Sequence, residues 1–459
     1  MTTSAFSVFP PQVGSTADVP NLSVGTKPFL AGGGLRGGGG TGITILSKTD
    51  AIAATSTWIP PQTKWPYSIN WNFGIQHAFG KSYTAEVRYV GTRGVHLDVQ
   101  SRINRQSLVS NTPETATTGF LPTYLQAPSQ ATLNALPLAL CVPDASGACV
   151  SGLQSRSSLL PQYANAGLAR SITADLPIGG SNYHGLESSL QRRFSNGLTF
   201  QAAYTYSRTI DNSTADFFTT SLTPRRPQDF QDIGADRSVS PLSRTHRFTL
   251  AAVYDLPFFK SGNWLMKNVV GNWAFSPIYT YESSQWADVQ SALDANLNSD
   301  SAGDRAILNP GGVAGTGSDV TALTALSGPN AGQVVAYLAN NPNAQYIRAG
   351  AGALATSGRN TLATRPTNDW DIATYKDINI TERFKFRLGA QFANIFNHPQ
   401  YIPGSNPGFG LGVNDVNSFL TSAGGYLNYL TPGNANFNNP KSVFASNART
   451  IAVIAKFTF

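Results

Sequence analysis

Charge is scarce in this sequence. Asp, Glu, Lys and Arg together make up 12% of its 459 residues, whereas an ordinary globular protein carries about 25%. A soluble protein of this size would be short of the ions that cover its surface. Long hydrophobic runs are missing too. No stretch approaches the roughly 18 apolar residues of a membrane-spanning helix, so helical membrane proteins are excluded. The start, Met1 to Pro10, has neither the basic region nor the apolar region of a secretory signal. The two cysteines, Cys141 and Cys149, lie in one loop-like stretch containing Pro143 and Gly147. They read as a disulfide in an oxidising compartment or as two reduced thiols, with too few ligands nearby for a metal. The net charge of +7 comes from basic residues scattered among acidic and polar neighbours, so nucleic-acid binding is not expected.

Aromatic residues, in contrast, are plentiful: 25 Phe, 17 Tyr and 7 Trp. A disordered chain does not carry that much surface to bury. The remaining class is all-β, and period-two alternation supports it. Between Tyr67 and Phe79 the odd positions are Tyr, Ile, Trp, Phe, Ile, His and Phe, and the even ones Ser, Asn, Asn, Gly, Gln and Ala. The pattern recurs, and predicts nine long strands near 66–79, 82–91, 183–194, 198–210, 245–256, 271–284, 371–380, 384–396 and 448–459. Residues 1–65 are expected to be an extended or irregular N-terminal region, and 66–459 one barrel segment.

Connection lengths carry a second signal. Short turns such as Gly80-Lys81-Ser82 and Ser195-Asn196-Gly197 alternate with long stretches near 92–182, 211–244, 284–370 and 397–442. Short periplasmic turns and long extracellular loops describe an antiparallel outer-membrane β-barrel, or an open segment of one. A soluble sandwich would show shorter strands and no aromatic residues gathered at both ends of its apolar faces. On the lipid faces of these strands no Asp or Glu is expected, and Arg192, Arg208 and Arg449 are the basic residues, near strand ends. Pro277 falls mid-strand, where it cannot donate to the ladder.

Several stretches together resemble the C-terminal half of the barrel of TonB-dependent outer-membrane transporters of the Oar-like group. They are Tyr-His-Gly-Leu-Glu-Ser-Ser-Leu-Gln-Arg-Arg-Phe (183–194), Gly-Leu-Thr-Phe-Gln-Ala-Ala-Tyr-Thr-Tyr-Ser-Arg-Thr-Ile-Asp (197–211), Arg-Thr-His-Arg-Phe-Thr-Leu (244–250), Gly-Asn-Trp-Ala-Phe-Ser-Pro-Ile-Tyr-Thr-Tyr-Glu-Ser-Ser-Gln (271–285) and Phe-Arg-Leu-Gly-Ala-Gln-Phe-Ala-Asn-Ile-Phe-Asn-His-Pro-Gln-Tyr (386–401). The ending, with Phe457 and Phe459, is similar to the aromatic signal read by the barrel assembly machinery. The resemblance implies a bacterial outer-membrane location, contact with lipid and lipopolysaccharide, and, in a complete member, a plug driven by the inner-membrane TonB complex. No plug or TonB box is recognisable in this sequence, so the expectation is a portion of a transporter; the alternative is a stand-alone structural or adhesin barrel. Lumen-lining candidates are Asn70, Asn72, Gln76, Gln201, Thr205, Arg387 and Gln391.

Catalysis has no support in the sequence, since no nucleophile elbow, triad or carboxylate pair is present, and no enzyme is expected. Gly32, Gly34 and Gly37 match a dinucleotide fingerprint in spelling alone, without the strand and helix it needs. The histidines at 77, 96, 184, 246 and 398 are dispersed. No cofactor is expected. One weak candidate for calcium is Asp294, Asn296, Asn298, Asp300 and Asp304, with oxygens at alternate positions; Ser299 stands where the sharp turn wants glycine, and no Glu closes the loop.

Overall fold

The computed structural model describes residues 48–58, 60, 64–110, 119–136, 157–214, 222–259, 263–381, 383–401, 426–444 and 446–458. Nine long strands follow one another as an antiparallel meander. They are β1 (Tyr67–Phe79), β2 (Tyr83–Arg102), β3 (Thr173–Ser195), β4 (Leu198–Asp211), β5 (His246–Asp255), β6 (Trp273–Glu282), β7 (Thr367–Asn379), β8 (Lys385–Ala393) and β9 (Thr450–Thr458). Each pairs with the next, and among the described residues the sheet stays open, with β1 and β9 as its two edges.

The ladders share one register, so the alternation of each strand adds up to two continuous faces. From Phe79 the outer face runs through Tyr83, Arg192, Phe200 and Ala252. Further along it carries Leu250, Tyr279 and Trp370, then Ile372, Phe392 and Ile451. Tyr67, Trp71, Phe200, Leu250, Phe386 and Val453 all lie on this face. Large apolar side chains exposed in the isolated chain, such as Phe73 at 71% and Val453 at 75%, are what a lipid-facing wall requires.

Aromatic groups gather at both ends of that wall. Toward the short turns, Phe79 stacks on Tyr83 with centroids 5.7 Å apart, Phe384 on Phe457 at 5.8 Å, and Arg192 lies over the Tyr83 ring. Toward the long loops, Tyr279 stacks on Trp370 at 4.4 Å, while the Tyr89 hydroxyl shares a hydrogen bond with His184 Nδ1 at 2.7 Å. Trp71 lies across its partner Gly91 so closely that a Cβ there would collide with the indole. Trp71 and Phe79 are eight residues apart on β1, which at ~3.3 Å per residue and a tilt of ~40° is about 20 Å of membrane depth.

The basic residues of this face lie near its margins, and there are more of them than the sequence reading named. Arg93, opposite Ile69, sits toward the long loops. Lys376, opposite Trp273 and Leu388, sits toward the short turns. Lys376 was missed because β7 alternates weakly; its ammonium donates to the Gly271 carbonyl and lies 5.3 Å from the Trp273 ring centroid, which shelters the charge at the interface. Among the described residues the outer face carries no Asp or Glu in the paired rows.

Two local features explain details of the meander. Asn196 and Gly197 both have positive φ, at 50° and 80°, and join Ser195 to Leu198 as the two-residue turn whose twist suits a hairpin. Pro277 pairs with Ile372 of β7, but the ladder to β5 breaks between Ala251/Ile278 and Tyr254/Phe275 and resumes in the same register. The proline therefore interrupts pairing locally without shifting a side chain to the wrong face.

Strands β2 and β3 run past the expected 91 and begin before 183, pairing as far as Arg102 with Thr173. Register shifts between Val95 and Leu97 and between Leu97 and Val99, with His96 at φ 56°, break the alternation there and hide the extension from sequence. Most of the region expected to be irregular, and the Cys141–Cys149 stretch, lie outside the described residues. Within 48–65, however, Lys48–Ala53 is helical, and Thr57–Trp58 joins β3 as a short parallel strand, because the Thr173 amide donates to the Ser56 carbonyl.

The hydrophobic core is elsewhere, in the long connections. One cluster joins Leu222, Ala287, Val289, Ala306, Tyr346, Leu362, Tyr429, Leu430, Val443 and Phe444 from three of them; a second brings Leu133 of the first long connection against Val335 and Ala336. Small sheets stitch this cap together: Val320–Thr324 with Val334–Ala339 and Thr123–Tyr124, and Ile307–Leu308 with Ala344–Ile347 and Val313–Ser318. The long loops are thus a packed body rather than solvated excursions.

Replacing Ile75, midway between the two aromatic bands, with Arg is expected to destabilise the wall by about 2–4 kcal/mol, while Gln76→Arg on the other face costs under about 1 kcal/mol. Denaturant titration of protein refolded into lipid vesicles checks the difference, and equal costs would mean that the faces are misassigned.

Candidate functional site: a polar concave face and a charged cap

The face opposite the aromatic bands is polar. Register places Asn70, Asn72, Gln76, Gln201, Thr205, Arg387 and Gln391 on it together, although on different strands. Three ion pairs span directly opposed positions there: Arg88–Glu187 at 2.6 Å, Arg247–Glu282 at 2.9 Å and Arg387–Asp377 at 2.6 Å. Thr92 Oγ1 donates to Asn70 Oδ1 at 2.8 Å, and Gln391 Nε2 to the Tyr375 hydroxyl at 2.7 Å. Sequence reading named Arg387 without its partner, because Asp377 lies on the weakly alternating β7.

This face is also the hollow one. A concavity of about 610 Å³ is lined from β5 through β9 by Val253, Asp255, Ser276, Tyr375, Arg387 and Lys456 among others. A neighbouring one of about 470 Å³ is lined from β3 through β6, including Gln191, Gln201 and Ala251. The two share Val253 and Ser276. A sheet whose polar side is concave over seven strands has the sense of curvature of a barrel wall with its lumen wet.

The cap sits on the strand ends through buried charges. Arg359 Nη1 donates to Asp211 Oδ1, at the end of β4, at 2.7 Å, and its Nη2 to Thr214 Oγ1 at 2.8 Å. Arg305 is paired with Asp236, and both are nearly inaccessible. Between these arginines lies Asp288, 1% exposed. Burial pushes its carboxyl up to about 7, against the opposing pull of Arg305 and Arg359. Burial would also depress the Arg305 guanidinium, but Asp236 and Asp288 together hold it above its ordinary value. Tyr429, in the main cluster, is pushed up to about 12 by burial.

The Asp/Asn run forms a tight loop beside this network. Asp294 accepts from the amides of Asn298 and Ser299 at 2.9 and 2.8 Å, Asn298 Oδ1 from that of Asp300 at 2.7 Å, and Asp304 from those of Ala295 and Asn296. In this stretch Ala292, Leu297 and Ser299 take φ 54°, 60° and 67°, a conformation that glycine adopts without strain. Asp300 is gripped by Arg226 and approached by Arg102 Nε at 3.4 Å. Burial raises the carboxyls of Asp294 and Asp304. Among the described residues no three His, Cys, Asp or Glu side chains converge to hold a metal ion, and arginine supplies the positive charge beside Asp300.

Residues 3–424 match the profile of the outer membrane beta barrel domain. The chain belongs to that family. It is accordingly an outer-membrane β-barrel protein. Solved structures similar to this barrel chain include the outer membrane transporter YddB from Escherichia coli, with TM-score 0.36 and 10% identity over 88% of this chain and 34% of that one. The unliganded ferric citrate transporter FecA gives TM-score 0.31 and 11% identity over 85% and 31%. A ferric enterobactin receptor mutant from Pseudomonas aeruginosa gives 0.34 and 10% over 86% and 31%. The barrel chain spans about a third of the length of these proteins. The sequence has no match among curated proteins.

The buried Asp288 generates a sign. A carboxyl whose folded value lies near 7, above an unfolded value near 3.8, binds more protons folded than unfolded between those limits. Its stabilising contribution is full below about pH 4 and is lost as pH rises to about 7. Asp288→Asn is expected to remove that slope from the cap: hydrogen-exchange protection of 283–366 should fall from pH 5 to pH 7 in the parent and stay flatter in the variant. Parallel profiles would dismiss Asp288 as the titrating group.

Proposed function

We propose that the chain forms part of the wall of a TonB-dependent outer-membrane transporter, its polar face bordering the path of a solute and its cap meeting that solute outside. The observation that carries this reading is the pairing of a concave, ion-paired polar face with an open sheet of nine strands. A self-contained structural or adhesin barrel would not present two sheet edges to hydrocarbon, as β1 and β9 do among the described residues, since each unsatisfied backbone group there costs several kcal/mol.

Strand direction sharpens the proposal. β1 and β9 both run toward the short-turn side, so joining them directly would create a parallel ladder. An all-antiparallel barrel with an even strand count needs an odd number of further strands between them. Those strands, together with a plug that TonB would act on, are supplied from outside the nine described here. The motifs shared with the Oar-like group favour that arrangement. Phe457 beside Phe384 suits a terminal signal for the assembly machinery, and Arg93 and Arg208, on the outer face toward the long loops, suit lipopolysaccharide phosphates.

The test is export of the chain to the outer membrane with and without a segment that contributes an odd number of barrel strands and a plug. Alone, it should show no heat-modifiable migration and no TonB-dependent uptake; with the added segment it should gain both. A closed, heat-modifiable species that imports solute unaided would overturn the reading.

A further inference from the structure

Three basic side chains share the short-turn end of the polar face. Arg387 stands directly opposite Lys456, and Lys385 opposite Thr458, so Lys385 and Lys456 are diagonal neighbours with about 7–8 Å between backbones. Their flexible ammonium groups can therefore meet on one ligand. Arg387 is already engaged: Nε and Nη2 donate to the two oxygens of Asp377 at 2.6 and 2.8 Å. That bidentate pair neutralises the guanidinium and fixes its orientation. Lys385 is within electrostatic reach of Asp377 from the diagonal position, but the carboxylate's two oxygens are already taken by Arg387. Both lysines are exposed, and both line the 610 Å³ concavity with Asn272, Asn379, Tyr375 and Thr458. The other carboxylate of the lining, Asp255 of β5, lies within electrostatic reach of Arg387.

We propose that this hollow is an oxyanion-binding site, with Lys385 and Lys456 holding a multivalent phosphate-type anion and the Thr458 hydroxyl and neighbouring amides available as further donors. The volume suits a small solute, and the concave wall strengthens the field of the two lysines by excluding part of the solvent. Asp255 disfavours a second anionic group on the β5 side of the hollow, so the ligand would be polarised, with its anionic end toward Lys385 and Lys456. The proposal deepens the transport reading by assigning a solute class to the polar face, and rests on that face being the lumen side.

Binding can be measured without transport. The full chain, purified in a neutral detergent, is titrated calorimetrically with inorganic pyrophosphate at low and high salt, and separately with a short oligo-aspartate peptide. Saturable pyrophosphate binding is expected, weakening with salt, and falling by about tenfold or more in Lys385→Ala/Lys456→Ala because two charge-assisted contacts are lost. Lys385→Arg/Lys456→Arg should restore it, and Lys441→Ala, in the cap, should leave it unchanged. If the double alanine variant fails to fold, Lys385→Gln and Lys456→Gln singly should each weaken binding. Absence of saturable pyrophosphate binding, equal binding by the lysine variants and the parent, or binding of the peptide alone would each overturn the proposal. Pyrophosphate binding without TonB-dependent uptake by the completed barrel would instead sink the transport reading and leave the site standing.

Discussion

Every backbone N–H and C=O at membrane depth has to find its partner inside the protein, and the wall of this molecule is organised by that requirement. It makes the nine strands antiparallel neighbours in sequence order and forces a common register. Once the register is common, each strand's alternation contributes to the same two faces. It also sets the terms on which exceptions survive. Pro277 is tolerated because the break it makes is confined to two rows and the ladder regains its register at once. Among the described residues the same ladders leave β1 and β9 as the two edges of the sheet, running in the same direction.

The wall and the cap obey different solvents. In the wall, apolar side chains face outward, as Ile69 at 49% and Ile75 at 65% exposure show, and become buried when lipid covers them. The polar face carries ion pairs between directly opposed residues in a hollow open to water, where solvent screening keeps each pair weak. Their value lies in orienting charge along the wall. In the cap the polarity is inverted: aliphatic residues and Tyr346 are enclosed, and charges such as Arg359–Asp211 are buried with them. Breaking a buried pair by removing one partner costs about 3–5 kcal/mol, so these residues tie the cap firmly to the strand ends.

How much of this the sequence disclosed follows from the length scale of each pattern. The nine strands and the sidedness of Trp71, Phe200, Leu250 and Val453 were legible because alternation persists for about ten residues at a time. Lys376 and Asp377 were not, because β7 intersperses Asp, Lys and Asn among its apolar residues. The cap was illegible for another reason. Its strands are two to six residues long, too short for a period to register, and partners such as Thr123–Tyr124 and Tyr337–Leu338 belong to different long connections. The Asp/Asn run was visible as a motif, but nothing in its spacing showed that Arg226 and Arg102 would stand beside Asp300.

The placement of charge connects these two halves. Near the long-loop end Asp211, in the last position of β4, accepts from Arg359 of the cap, and Asp288 lies close enough to feel both Arg305 and Arg359. Three carboxylates and two guanidiniums share that buried junction, so at neutral pH one negative charge is in excess and a proton is the cheapest way to remove it. At the short-turn end the imbalance has the opposite sign: Lys385, Arg387 and Lys456 line the hollow against Asp377 and Asp255. A buried junction that takes up a proton and an exposed hollow with one cation in excess thus stand at opposite ends of the same wall, the first set by desolvation and the second by which residues the common register brings side by side.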